Sequence, residues 1–399
     1  MKKSLLALAA LGTFAGVAHA QSSVTLYGII DEGFNWTQNS GGSHLYNLTS
    51  GVLQGSRFGL RGTEDLGGGL KAIFVLENGF NLSNGALGQA NKGSSQGLMF
   101  GRQAYVGLSS QFGTVTLGRQ YDSVVDYVGP LEAGDQWGGY IVAHPGDLDN
   151  FNNAYRVNNA IKFTSANYAG FTFGGVYSLG GIAGAYSRNQ LFSVGAGYNN
   201  GPLVLGVAYL NARNPNNGFF GDNGQSTPAT TTNFISSPVY SGYASANTYQ
   251  VIGAGGAYTF GAATIGATYS NVQFLGLGNA SSGPNPGGFK NSAKFNNGEI
   301  NFKYQLTPAL LVGAAFDYTD ASSVDRNNGT NTGGAKYFQY ALGSDYFLSK
   351  RTDVYIVGVY QKASGTDSNG GAAVAAINNL TPSKSNTQVT ARVGIRHKF

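Results

Sequence analysis

Along most of this chain, apolar residues recur at every second position, in short segments separated by turn-forming residues. In "FTFGGVYSL", Phe171, Phe173, Gly175 and Tyr177 share one side of an extended strand, and Thr172, Gly174, Val176 and Ser178 share the other. In "LVLGVAY", Leu203, Leu205, Val207 and Tyr209 oppose Val204, Gly206 and Ala208. The pattern begins with a strand at Gln21–Asp31, followed by a long polar stretch to Gly55. It continues through "SRFGLRG", "LKAIFVLENGF", "FGRQAYVGL" and "TVTLGRQ", and ends with "TQVTARVGIRHKF". About sixteen strands are predicted.

The connections fall into two sets. "SSQFG", "ANYAG", "NNGP", "FG", "LTPA" and "LSKRT" are tight, whereas others, such as 211–247, are long and rich in Gly, Asn and Ser. Short turns at one end and long loops at the other, with strands apolar on one face, predict an antiparallel transmembrane β-barrel. Hydrocarbon offers no hydrogen-bond partners, so such a sheet must close. The last strand is therefore expected to pair with the first over Val24–Asp31. Val393, Ile395 and Phe399 should then face lipid, and Arg392, Arg396 and Lys398 water. Aromatics near strand ends (Tyr27, Phe58, Tyr105, Tyr198, Tyr258, Tyr304, Tyr346, Tyr360) are expected in interfacial girdles.

Composition narrows the class. Residues 1–20 combine Lys2 and Lys3, an apolar run and the small-residue site Ala18-His19-Ala20, which reads as an export signal ahead of one domain, 21–399. The exported chain has no cysteine, so disulfides do not hold it together. Charged residues make up 11%, against about 25% in typical soluble domains. The formal charge of +5 falls to +3 without Lys2 and Lys3, too little for a nucleic-acid binder.

"SSVTLYGIID", "SRFGLRGTEDLGGGLKAIFVLENGF", "GRQAYVGLSSQFGTVTLGRQYD", "RVNNAIKFTS", "YFLSKRTDVY" and "RVGIRHKF" resemble, in order and from end to end, the Gram-negative general porin family of betaproteobacteria (Burkholderia, Neisseria and Comamonas type). The resemblance implies a sixteen-stranded, trimeric, water-filled diffusion channel in the outer membrane, amid lipid and lipopolysaccharide, with the third long loop folded into the pore. It also implies that the terminal strand with Val393, Ile395 and Phe399 is read by the barrel assembly machinery.

The charges are read on their own terms. Arg57, Arg102 and Arg156 begin three alternate strands at similar distances from the next short turn, with Arg61 and Lys162 on the faces of Arg57 and Arg156. An arginine facing lipid at the midplane costs ~2–4 kcal/mol, so the lumen is their expected place. Arg119 is expected at an upper rim, and Lys71, Glu77 and Glu299 are further candidate lumen charges. Opposite the arginines, the loop Tyr121–Tyr155 carries Asp122, Asp126, Glu132 and Asp135, then Asp147 and Asp149, with Trp137. A basic wall facing an acidic loop would set a transverse field and the narrowest radius. Weak to moderate anion selectivity is expected for small ions and solutes. No cofactor is expected, because His44, His144 and His397 show neither metal-ligand spacing nor a Ser/Asp partner motif. A barrel lipase or protease and a structural or adhesive barrel are the alternatives.

Overall fold

The computed structural model describes residues 23–89, 97–221 and 231–399; the expected export signal lies outside them. The strands are β1 (Ser23–Ser40), β2 (Ser43–Ser50), β3 (Arg57–Gly67), β4 (Leu70–Gly79), β5 (Gln103–Ser110), β6 (Gly113–Gln120), β7 (Val157–Ser165), β8 (Phe171–Ser178) and β9 (Leu191–Asn200). They continue as β10 (Leu203–Arg213), β11 (Thr248–Phe260), β12 (Ala263–Leu277), β13 (Asn291–Thr307), β14 (Leu310–Ala321), β15 (Ala335–Phe347), β16 (Thr352–Gly365) and β17 (Thr387–Lys398). β1 pairs with β3 over its first half and with β2 over its second, so β2 and β3 share one place in the wall. The result is a closed antiparallel barrel of sixteen strands.

Two local expectations change. The polar stretch after Asp31 is not a loop but the upper half of β1 hairpinned to β2. Its strand character is masked by polar side chains that bridge the pair, such as Asn35 Nδ2 donating to Thr49 Oγ1 at 2.8 Å. The closing register also moves: β17 pairs with Ile29–Thr37, and Phe399 exchanges both backbone hydrogen bonds with Gly28 at 3.0 Å. Strands in a barrel tilt and stagger, so the first strand starts below the end of the last.

Alternation sorts the faces as the sequence suggested. On β10, Leu205 and Val207 are exposed while Gly206, Ala208 and Leu210 are buried. On β17, Val393, Ile395 and Phe399 face outward, and Arg392 and Arg396 point inward. They meet acids there rather than open water. Arg392 Nη2 lies 3.5 Å from Asp31, and Arg396 Nη2 lies 3.0 Å from Asp353. Tyr27 and Tyr105 do not join the outer girdle. Tyr27 donates to Glu77 Oε2 at 3.0 Å inside the barrel, and Tyr105 shares a lumen recess with Gln103 and Lys162. Both have the lumen parity of their strands, and end position alone could not reveal that.

The buried apolar residues lie inside the wall. Val124, Val128, Leu148 and Phe151 of the 121–155 segment cluster with inward residues of β7–β16, and Trp137, Ile141 and Val142 cluster with β15 and β16. The third long loop is folded into the barrel.

Candidate functional site

The loop is built to lie on the wall. Asp122 caps the short helix Ser123–Tyr127, its Oδ1 accepting from Val124 N at 2.8 Å, while its Oδ2 accepts from Asn150 Nδ2 at 2.8 Å and ties the two ends of the loop together. Burial pushes the Asp122 carboxyl up to about 6, against the hydrogen bonds it accepts. The helix sits where the wall has no side chains: a Cβ at Gly206 would overlap the Tyr127 carbonyl oxygen. Trp137 covers Gly313 and Gly343 in the same way. Hydrogen bonds then pin the loop to β13 and β15. Asn301 Nδ2 donates to Leu131 O at 2.9 Å, Ala133 N to Glu299 Oε1 at 2.8 Å, and Gln339 Nε2 to Val142 O at 3.0 Å. At its far turn Tyr140 N donates to Val52 O at 2.8 Å, beside β3.

The loop therefore covers the wall from β8 round to β16 and leaves a gap beside β3 and β5. This gap, a cavity of about 300 Å³, is lined by Arg57, Arg102 and Tyr121 on one side and by Asp126, Asp135 and Tyr140 on the other. Arg102 is buried; its Nε donates to Glu77 Oε1 at 2.8 Å and its Nη2 to Tyr121 Oη at 3.0 Å. Arg57 is braced by its Nε donating to Gly55 O at 2.8 Å.

Of the predicted basic residues, two share the gap with acids. Arg156 lies against the Tyr121 ring at 5.9 Å and lines a second cavity of about 360 Å³ with Arg119, Tyr155 and Tyr240. Arg61 is stacked over Tyr27 at 5.4 Å, further along β3 toward its short turn. Lys162 is ion-paired with Asp126, and its Nζ donates to Tyr121 O at 3.1 Å.

Of the predicted acids, Asp126 and Asp135 line the gap, whereas Asp122 and Glu132 do not. Asp122 is spent on capping, and Glu132 is buried on the far side of the loop. Charge alone could not tell a pore-facing carboxylate from one that anchors the loop. The sequence reading also missed Tyr121 and Tyr140, which carry no charge to mark them.

On that far side Glu132, His144 and Asp149 of the loop meet Glu299 of β13 and Asp317 of β14. Burial works against a charged imidazole, but Asp149 and Glu132 overcome it and hold the His144 pKa well above its ordinary value.

A family model described as "Gram-negative porin" matches residues 7–366. This chain belongs to the Gram-negative porin family. An outer membrane porin protein of Bordetella pertussis is 31% identical over 434 residues, covering all of both chains. Outer membrane porin protein 32 of Delftia acidovorans is 34% identical over 59% of this chain and 66% of its own. Among solved structures, the anion-selective porin from Comamonas acidovorans superimposes with a TM-score of 0.69 at 24% identity, over 95% of this chain and 100% of that one. An outer membrane protein of Vibrio cholerae in trimer form gives 0.64 at 16% identity, over 95% and 99%. The protein is an outer-membrane porin of a Gram-negative bacterium.

Proposed function

We propose that this porin forms a homotrimer of water-filled diffusion channels for ions and small hydrophilic solutes, with weak to moderate anion selectivity. The observation that carries the selectivity is the charge layout. At the gap Arg57 and Arg102 face Asp135 and Asp126, and Lys162 and Glu77 are already paired with Asp126 and Arg102. The gap itself is therefore close to neutral. The excess is positive on both sides of it, from Arg156 in the second cavity and from Arg61 toward the turn end. Guanidinium groups stay charged at any physiological pH, and low-dielectric walls concentrate counter-ions near them. The structurally similar porin from Comamonas acidovorans is anion-selective, in keeping with this reading. The trimer form of the Vibrio cholerae protein likewise supports a homotrimer.

Val393, Ile395 and Phe399, exposed on the outer face of β17, form the apolar strip offered to the assembly machinery and afterwards to lipid and lipopolysaccharide. The test of function is reconstitution in a planar bilayer. Ohmic steps in threes, and a zero-current potential displaced toward anions in a salt gradient, are expected. A clearly cation-selective channel refutes the selectivity, and silence refutes the channel.

A further inference from the structure

The group of carboxylates behind the constriction loop has the makings of a metal site. His144 Nδ1 is 2.7 Å from Asp149 Oδ2, which also accepts from Ser270 Oγ at 2.6 Å. That contact keeps Nδ1 protonated and points Nε2 the other way, where a divalent ion would take the place of the proton that the surrounding carboxylates otherwise favour there. Nε2 then faces Glu132 Oε1, Glu299 Oε2 and Asp317 Oδ2, each 3.7 Å away. All these side chains are buried. Among the described residues, His144 Nε2 and Glu299 Oε2 have no hydrogen-bond partner, although both are aimed into the same space. A second proton on Nε2 would find its nearest acceptors beyond hydrogen-bond reach. Ligand atoms of Glu132, His144 and Glu299 all lie within 4.8 Å of one another, so a small inward shift of the side chains would let them share an ion bonded at about 2.0–2.2 Å.

We propose that Glu132, His144 and Glu299, with Asp317 as a fourth ligand, bind one divalent transition-metal ion of the zinc class that fastens the constriction loop to the barrel wall. Imidazole among the ligands selects such an ion over calcium or magnesium, which prefer all-oxygen shells. Asp149 is the outer carboxylate that orients a metal-bound histidine. The ion would join two residues of the loop to β13 and β14 and neutralise carboxylates that face one another away from bulk water. The site does not depend on the ion selectivity proposed above, and its test uses no conductance.

Lipopolysaccharide-free protein is unfolded with chelator, refolded to trimers with or without zinc chloride, desalted and assayed for bound metal. One zinc ion per protomer is expected, with an X-ray absorption spectrum showing one imidazole among oxygen ligands. The zinc-refolded trimer should also dissociate at a higher temperature than the metal-free one. Glu299→Gln and His144→Gln should lose the ion. Asp149→Asn should weaken binding about 10–100-fold. His44→Ala and His397→Ala should keep it. Should His144→Gln fail to assemble, the wild-type spectrum and Glu299→Gln still decide. Any of three results overturns the site: wild-type protein holding no more zinc than Glu299→Gln, a spectrum without imidazole, or calcium displacing zinc in competition. The cluster would then be held together by protons alone.

Discussion

In the proposed channel, single residues set the field across the gap. Replacing Arg57 and Arg102 together by glutamine should move the zero-current potential in a salt gradient toward cations; Asp135→Asn should move it the opposite way. An unmoved potential in the double variant would remove these arginines from the filter. The two arginines should differ in stability. Arg102→Gln leaves buried Glu77 with only the Tyr27 and Tyr121 hydroxyls as partners, so the folded barrel should lose roughly 3 kcal/mol, the low end for a broken buried pair. Arg57, braced by a backbone carbonyl, should cost far less to replace. Thermal unfolding of the barrel followed on gels separates these outcomes. Asp122 adds a pH dependence. Its carboxyl rises from an ordinary value of 3.8 to about 6 in the folded loop, so the folded state holds more protons between those values and loop stability falls as pH rises through them. The span corresponds to at most about 3 kcal/mol. Asp122→Ser keeps a capping oxygen and nothing to titrate, so it should flatten that slope; an unchanged slope would place the titration elsewhere.

At the scale of elements, the 121–155 loop is the element expected to decide the bore. Its inward fold rests on wall positions without side chains, so Gly206→Val should drive the 123–127 helix away from β10 and into the channel. Single-channel conductance should drop. Shortening the loop should do the reverse and admit larger solutes, as liposome swelling with sugars of graded size would show. If both changes left conductance as it was, the loop would not be the constriction. The same loop shows the limits of reading charge along a chain. Asp126 and Asp135 face the gap while Glu132, lying between them in sequence, points to the wall, because the backbone reverses face as it bends through the short helical turns at Gly129–Leu131 and Gly134–Gly138.

For the whole molecule, closure is the governing constraint. Phe399 forms the last backbone pair with Gly28 and projects onto the outer face, so its deletion should lower the amount of folded protein in the outer membrane. Normal levels of the truncated chain would refute that role. A closed sixteen-stranded sheet should also migrate differently on gels before and after boiling, since every strand must be unpaired to unfold it.

The barrel was legible because its cause is local and repeated. In water or lipid, alternation at period two can mean only a two-faced strand, and a lipid face with tight and long connections in turn can mean only a closed transmembrane sheet. Arg57 and Arg102 were legible for a related reason, since charge has no tolerable place on the lipid side, whereas the inward fold of the long loop was expected from its length, its position after the fifth strand and the family resemblance. The tertiary structure decided what no local pattern encodes. It set the stagger by which β17 meets Ile29–Thr37, and it placed Arg57 and Arg102, not Arg156, around the same gap as Asp135. It also brought Glu132 and His144 against Glu299 and Asp317, which lie on strands far along the chain. Those contacts depend on how a loop bends across a finished wall, and the energies that select them arise only once the wall exists.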